Sequence, residues 1–321
     1  MTRLALLVAL VVSSACAQDV PDPDPAVGAQ RSIAVTIDDL PVVGLEGGLA
    51  YQQRVTRGLV AQIVAAGVPV TGFVNEGKLD PSAGPGQAVE REARTALLQA
   101  WVDAGLDLGN HTRDHPSLFD TPLAEFQEQV RQGDLVTDRL LAARGDSARY
   151  FRHPYLNTGP DLETKRAFEA WLGDEGYAVA PVTHDNAEYV YARAYDRAAG
   201  DEGLRARIAD AYVAYMDTTA GYYEALGRDL FGREVAHVLL IHANALNADH
   251  LGDLLATFER RGYGFVSLDQ ALRDPAYLSN DAYVGRAGLS WLQRWALTRR
   301  VPFESEPPVD PWVEDVAYPG P

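Results

Sequence analysis

Short apolar, β-rich runs alternate with amphipathic helical patterns along most of this chain, and that alternation restricts the fold more than any other feature. The first run, Ile33-Ala-Val-Thr-Ile37, ends at Asp38-Asp39 and is stopped by Leu40-Pro41. A helix is predicted over 51–66, with Val55, Leu59, Ile63 and Val64 at helical spacing and Gly67 as its stop. Residues 70–74 read as the second strand, 88–104 as a helix closed by Gly105, and 106–110 as the third strand. Thr121-Pro122 has the form of an N-cap followed by proline at the first helical position, opening one long helix to about residue 143 before a strand at Tyr150-Phe151. A helix near 161–172, a strand at 177–182, a Tyr- and Ala-rich helix at 204–226, a strand at 237–241, a helix at 247–261 and a strand at 264–267 complete the series. Seven strands alternating with helices imply parallel pairing through right-handed crossovers, and seven or eight such units point to an α/β barrel rather than an open sheet.

The ends of the chain depart from this pattern. Met1-Thr-Arg3, an apolar stretch over 4–12 and Ser13-Ser-Ala-Cys-Ala17 read as a signal sequence cleaved after Ala17, which implies export to the periplasm or the medium. The apolar stretch is too short to span a bilayer, so no integral membrane protein is expected. Cys16 is the only cysteine, so the cleaved chain has no disulfide. A lipid anchor on Cys16 is disfavoured by Ser13, which stands where such signals carry Leu or Val. Residues 18–30 read as a flexible leader, 31–275 as the barrel and 276–321 as a C-terminal extension packing on it. In that extension Trp291, Leu292 and Trp295 suggest a short amphipathic helix over 288–298, and the Pro-rich 301–321 an extended arm anchored by Trp312. With 321 residues, 47% hydrophobic, the chain can bury a large core, and its net charge of −17 argues against nucleic acid or an anionic membrane as partner. No protein partner is implied.

The polar, titratable residues fall on one side of the predicted strands. Asp38 and Asp39 end the first, His111 and His115 follow the third, Arg152 ends the fourth, Asp185 follows the fifth and His242 ends the sixth. Carboxyl ends are where α/β barrels and sheets assemble their sites. His111-x-x-x-His115 on a helical turn would bring two imidazoles to one ion, and Asp39 can add a carboxylate, leaving positions open for water and substrate. Zn²⁺ in such a site lowers the pKa of water and polarises a carbonyl. The same ligands suit a non-haem Fe(II) oxygenase. Hydrolysis is favoured by a spare carboxylate, Asp38, able to take a proton, and by His242, able to give one. Arg152, in Phe151-Arg152-His153-Pro154-Tyr155, can fix a carboxylate by a two-pronged contact. Asn75, Glu76, Asn244 and Asn247 suit turns or the rim of the site, while His153, His184, His237 and His250 read as structural or surface residues.

As a set, these stretches resemble the polysaccharide deacetylase family, the nodulation-protein B homology domain of carbohydrate esterase family 4. Five of them run in order from Thr36 to His242. The resemblance implies a distorted (β/α) barrel of seven strands and one divalent metal, expected to be zinc. From Thr36-Ile-Asp-Asp39 it implies Asp38 as general base and Asp39 as ligand. His111-Thr-Arg-Asp-His115 supplies both histidine ligands. Arg152-His-Pro-Tyr155 implies that Arg152 orients the base while the Tyr155 N–H binds the oxyanion. In the fourth stretch, Asp185-Asn-Ala-Glu-Tyr189, Asp185 keeps a supporting role toward His242 or Arg152, whereas Glu188 and Tyr189 replace the usual Asp and Trp and alter the substrate groove. The fifth implies His242 as general acid, with Leu240 lining the acetyl pocket. Residues 191–233 and the tail beyond 274 exceed the usual compact domain. The function implied is removal of acetyl groups from N- or O-acetylated carbohydrate. A catalytically silent carbohydrate-binding protein and the Fe(II) oxygenase are the competing readings.

Overall fold

The computed structural model describes residues 31–81 and 86–320, so the expected signal sequence, Cys16 and leader lie outside the described residues. Seven parallel strands form one sheet, β1 (Arg31–Leu40), β2 (Val70–Val74), β3 (Asp107–Asn110), β4 (Tyr150–Phe151), β5 (Ala178–Val179), β6 (His237–His242) and β7 (Tyr263–Phe265). Their order is β5-β4-β3-β2-β1-β6, with β7 pairing the opening residues Arg31, Ser32 and Ile33 of β1. The ring is drawn together on its far side by the single bridge between His184 and Leu239, not by a ladder, which is the distortion in this (β/α) barrel. The expected barrel of parallel strands is thus observed.

β1 is central because its residues suit burial on both faces. Ile33, Val35, Ile37 and Leu40 lie in the main apolar core with Val70, Val74, Leu239 and Ile241, as expected where helices cover both faces of a parallel sheet. The crossovers are α1 (Leu49–Ala66), α2 (Gln87–Asp103), α3 (Leu123–Arg131), α4 (Leu135–Ala142), α5 (Leu162–Asp174), α6 (Glu188–Arg197), α7 (Glu202–Phe231) and α8 (Ala245–Arg260), and α9 (Leu268–Ala271) follows β7. Two helices, α10 (Trp291–Arg299) and α11 (Pro311–Ala317), follow in the extension. No described helix is long and apolar enough to cross a membrane.

Several elements differ from expectation for identifiable reasons. The single helix predicted over 121–143 is two, α3 and α4, broken at Gln132-Gly133-Asp134. Glu76, buried at the end of β2, accepts the Val136 and Thr137 N–H groups at 2.8 and 2.6 Å and so caps the restarted helix. The fifth strand shrinks to two residues because Pro181 has no N–H to continue a ladder. The 191–233 insertion holds α6 as well as the 30-residue α7. The expected extended arm contains α11, started by Pro311 and burying Val313 and Ala317. Trp312 does anchor it, with the Arg207 guanidinium 3.9 Å from the ring centroid.

Candidate active site

A cleft of roughly 720 Å³ opens at the carboxyl ends of the strands and is lined by Asp38, Asp39, His111, His115, Tyr155, Asp185, Tyr189, Leu240 and His242, among others. Nine of the ten sequence-selected residues therefore meet at one place. The tenth, Arg152, is fully buried behind Asp38.

The adjacent carboxylates reach the same cleft because the backbone turns between them. Asp38 still pairs with His242 in the β1–β6 register, whereas Asp39 has a left-handed φ of 70°. Thr112, His115, Tyr155 and Leu156 share that unfavourable region, with φ of 67°, 58°, 55° and 51°. Non-glycine residues held there cost about 1–3 kcal/mol each and concentrate at functional sites. This overturns one expectation, because His111 and His115 do not lie on a helical turn. They occupy a loop whose own left-handed turns bring the rings to a centroid separation of 4.8 Å. Gly133 makes room for that loop, since a Cβ there would lie 2.7 Å from the Thr112 carbonyl carbon.

Asp39, His111 and His115 offer ligand atoms within 4.8 Å of one another, so a small inward shift would bring them to the separations of about 4 Å or less found between atoms held about 2 Å from one ion. The donor chemistry fits. His111 Nδ1 lies 2.8 Å from the Arg152 carbonyl oxygen, a bond that fixes the proton on Nδ1 and leaves Nε2 with its lone pair. Burial holds His111 and His115 below the usual imidazole range, so both are neutral. Burial works against ionisation of Asp39, but Lys78 and the neighbouring imidazoles overcome it and keep the carboxyl well below its usual range. Lys78 donates to the Asp39 carbonyl at 2.9 Å and lies 3.2 Å from Oδ1. Asn75, also buried, holds the loop by donating to the His111 carbonyl at 2.6 Å.

Asp38 is set up differently. Its Oδ2 meets Arg152 Nη1 at 3.4 Å, while Arg152 Nη2 donates to Thr36 Oγ1 at 2.9 Å. Oδ1 is buried without a hydrogen-bond partner among the described residues. Burial raises Asp38 to about 6, with Arg152 and His242 opposing the rise. On the neighbouring strand His242 Nδ1 lies 2.9 Å from Glu188 Oε2. Burial disfavours its charge, but the hydrogen bond and charge of Glu188, then Asp39 and Asp38, raise it to about 9.

Sequence reasoning gave the supporting role toward His242 or Arg152 to Asp185, yet neither pairs with it among the described residues. Asp185 Oδ1 accepts its neighbour's Asn186 N–H, and burial followed by the Glu306 charge raises it to about 7. Glu188 instead occupies the first turn of α6, fully buried, where its longer side chain reaches His242, Asn244 and Asn247. Glu188 and Lys78 are the residues missed. The former stood in plain view within the fourth stretch, while nothing in the sequence distinguished Lys78. His153, His184 and His237, the first residue of β6, are buried, whereas His250 binds Asp253 at 3.0 Å on the surface.

The fold and cleft define an α/β-barrel protein whose polar site sits on the strand ends. Over residues 27–169, a span that holds the first three of the five stretches, the chain matches the polysaccharide deacetylase family model, which bears out the resemblance read from the sequence. No curated protein sequence matches it. Similar solved structures include a chitin deacetylase from the fungal pathogen Colletotrichum lindemuthianum, at 21% identity over 78% of this chain and 92% of that one, with a TM-score of 0.49. A family 4 carbohydrate esterase from Streptomyces lividans in complex with acetate is 20% identical over 76% and 96%, with a TM-score of 0.46. A CE4 family pseudoenzyme from Bacillus anthracis is 15% identical over 76% and 66%, also at 0.46.

Proposed function

We propose that this chain is an exported, metal-dependent hydrolase that removes acetyl groups from N- or O-acetylated carbohydrate. The observation that carries the reading is geometric: Asp38, held by Arg152, and His242, held by Glu188, flank the Asp39-His111-His115 cluster in one cleft. With Asp38 at about 6 and His242 at about 9, neutral pH leaves the first ionised and the second protonated, the states a base and an acid require.

Asp39, His111 and His115 would hold one divalent cation, with zinc favoured by two imidazoles and a carboxylate. Such an ion supplies Lewis acidity, making water more acidic and a carbonyl more electrophilic. Asp38 Oδ1 takes the proton from the attacking water as its oxygen bonds to the acetyl carbon, and Arg152 keeps the carboxylate in place. The Tyr155 N–H donates to the oxyanion. His242, held through Nδ1 by Glu188, gives its other ring proton to the leaving nitrogen or oxygen as the bond to the acetyl carbon breaks, yielding acetate and a free amine or hydroxyl. Leu240 offers the methyl group an apolar wall, and Tyr189, 55% exposed, offers a sugar ring an aromatic face.

Acetate release from a panel of acetylated oligosaccharides, by metal-stripped and by reconstituted protein, tests the reading. Release that needs the metal is expected; none from reconstituted protein, or equal release without metal, would sink it. An oxygenase has no use for this acid–base pair, and oxygen consumption would expose one. Fractionation of the producing cell tests export.

A further inference from the structure

We propose that the C-terminal extension is a working part of the active site, in which Gly288, Arg294 and the 285–286 backbone lock the Tyr155-Leu156 turn in its productive conformation. The kinetic part rests on the deacetylase reading; the conformational part does not.

Two consecutive non-glycine residues in the left-handed region, Tyr155 and Leu156, persist only where their surroundings over-determine them. Here the surroundings come from the far end of the chain. Gly288 lies so close under the turn that a Cβ would stand 1.8 Å from the Tyr155 carbonyl oxygen. Arg294, fully buried on α10, donates to the Leu156 carbonyl at 3.2 Å and to Thr158 Oγ1 at 2.6 Å. Asn157 reaches back, its Nδ2 donating to the Gly285 and Arg286 carbonyls at 3.1 and 3.0 Å. Arg294 is itself fixed by Asp281, 2.7 Å away, which also takes the Lys165 ammonium at 2.6 Å.

The turn in turn touches the chemistry. The Tyr155 ring packs edge-on against His115 at a centroid separation of 4.4 Å, and His115 Nε2 lies 3.7 Å from Asp39 Oδ1. A continuous path of contacts thus runs from Gly288 through Tyr155 and His115 to Asp39. Gly288 also lines the cleft. Gly288, Asn157 and Arg294 are positioning residues that set where the Tyr155 backbone and ring stand; none touches the reacting atoms.

The test uses full-length protein labelled with ¹⁵N-tyrosine, the Tyr155 amide being assigned by its loss in Tyr155→Phe. Gly288→Ala must push the Tyr155 carbonyl aside, so its amide resonance should move and exchange faster with solvent. The turnover number should fall on the order of 10- to 100-fold, as misplacement by about an ångström does, while KM and metal stoichiometry hold. Asn157→Ala should act in the same direction more weakly, and decides the matter if Gly288→Ala does not fold. A Tyr155 amide unmoved in the folded variant, or a lowered melting point with wild-type turnover, overturns the proposal. If wild-type protein releases no acetate, the deacetylase reading falls and the amide resonance alone decides whether the extension holds the turn.

Discussion

Glu188 Oε2 lies 2.9 Å from His242 Nδ1, joining the first turn of α6 to the end of β6. The carboxylate is fully buried and held on its other oxygen by Asn244 and Asn247, so it cannot turn away from the imidazole. If it is what raises His242 to about 9, Glu188→Gln should move the alkaline limb of kcat/KM down by about one pH unit or more, within the range of a charge-assisted hydrogen bond. An alkaline limb that stays in place would exclude Glu188 from this role.

Asp38 and Asp39 should separate in their failures. Asp38→Asn is expected to bind metal at wild-type stoichiometry while losing about 10²- to 10⁴-fold in turnover, the usual contribution of a positioned base. Asp39→Ala and His111→Ala should lose the metal itself. Metal analysis of the three purified variants beside acetate assays distinguishes them, and a metal-free Asp38→Asn would reverse the two assignments.

The acidic limb of the wild-type profile should report Asp38. Below about 6 its carboxyl is protonated in the folded protein and cannot take the water proton, so kcat/KM should rise with pH through that value. Arg152 opposes burial in setting the value. Arg152→Met should therefore move the limb upward, and a downward shift would contradict the assignment.

Arg152 is also a stability element. Its guanidinium is wholly buried between Asp38 and the Phe73 ring, 4.6 Å from the ring centroid. Removing one partner of a buried pair costs about 3–5 kcal/mol, so Arg152→Met should lower the denaturation midpoint accordingly. Metal content should survive, because His111 is held by the Arg152 backbone carbonyl, which the substitution keeps.

Acid sensitivity should come in part from His237, on β6 far from the cleft. Burial, with no hydrogen-bond partner among the described residues for either ring nitrogen, lowers it to about 4. Between pH 6.5 and 4 the unfolded chain binds the proton and the folded one does not, so stability falls as pH falls across that window and levels off below it. A shift from 6.5 to about 4 corresponds to about 3 kcal/mol. His237→Phe should flatten the difference between denaturant midpoints at pH 7 and pH 4.5, and an unchanged difference would place the sensitivity elsewhere.

What the sequence disclosed followed from local chemistry. β1, β2 and β6 are unbroken apolar runs, and their polar termini announced the site because a strand end fixes where its next residue points. The ligand loop was read from the i, i+4 spacing of His111 and His115 as helical, whereas the spacing is met by left-handed turns at Thr112 and His115 that side-chain pattern does not encode. The break at Gly133 was hidden because apolar periodicity continues across it, and its cause lies in Glu76, some sixty residues upstream in the chain. Glu188 could be seen as a departure from a motif, but its partner is set by how α6 docks against the end of β6. Proline disguised α11 as an arm, although Val313 and Ala317 keep helical spacing.

β1 is bonded to three other strands, β2, β6 and β7, and the carboxylates of the site stand immediately before its last residue, Leu40. Amides with that many partners open only when most of a domain opens. Heat inactivation should therefore coincide with loss of the whole fold, with no earlier melting confined to the cleft, and hydrogen exchange should find some of the slowest amides in the molecule immediately next to Asp38.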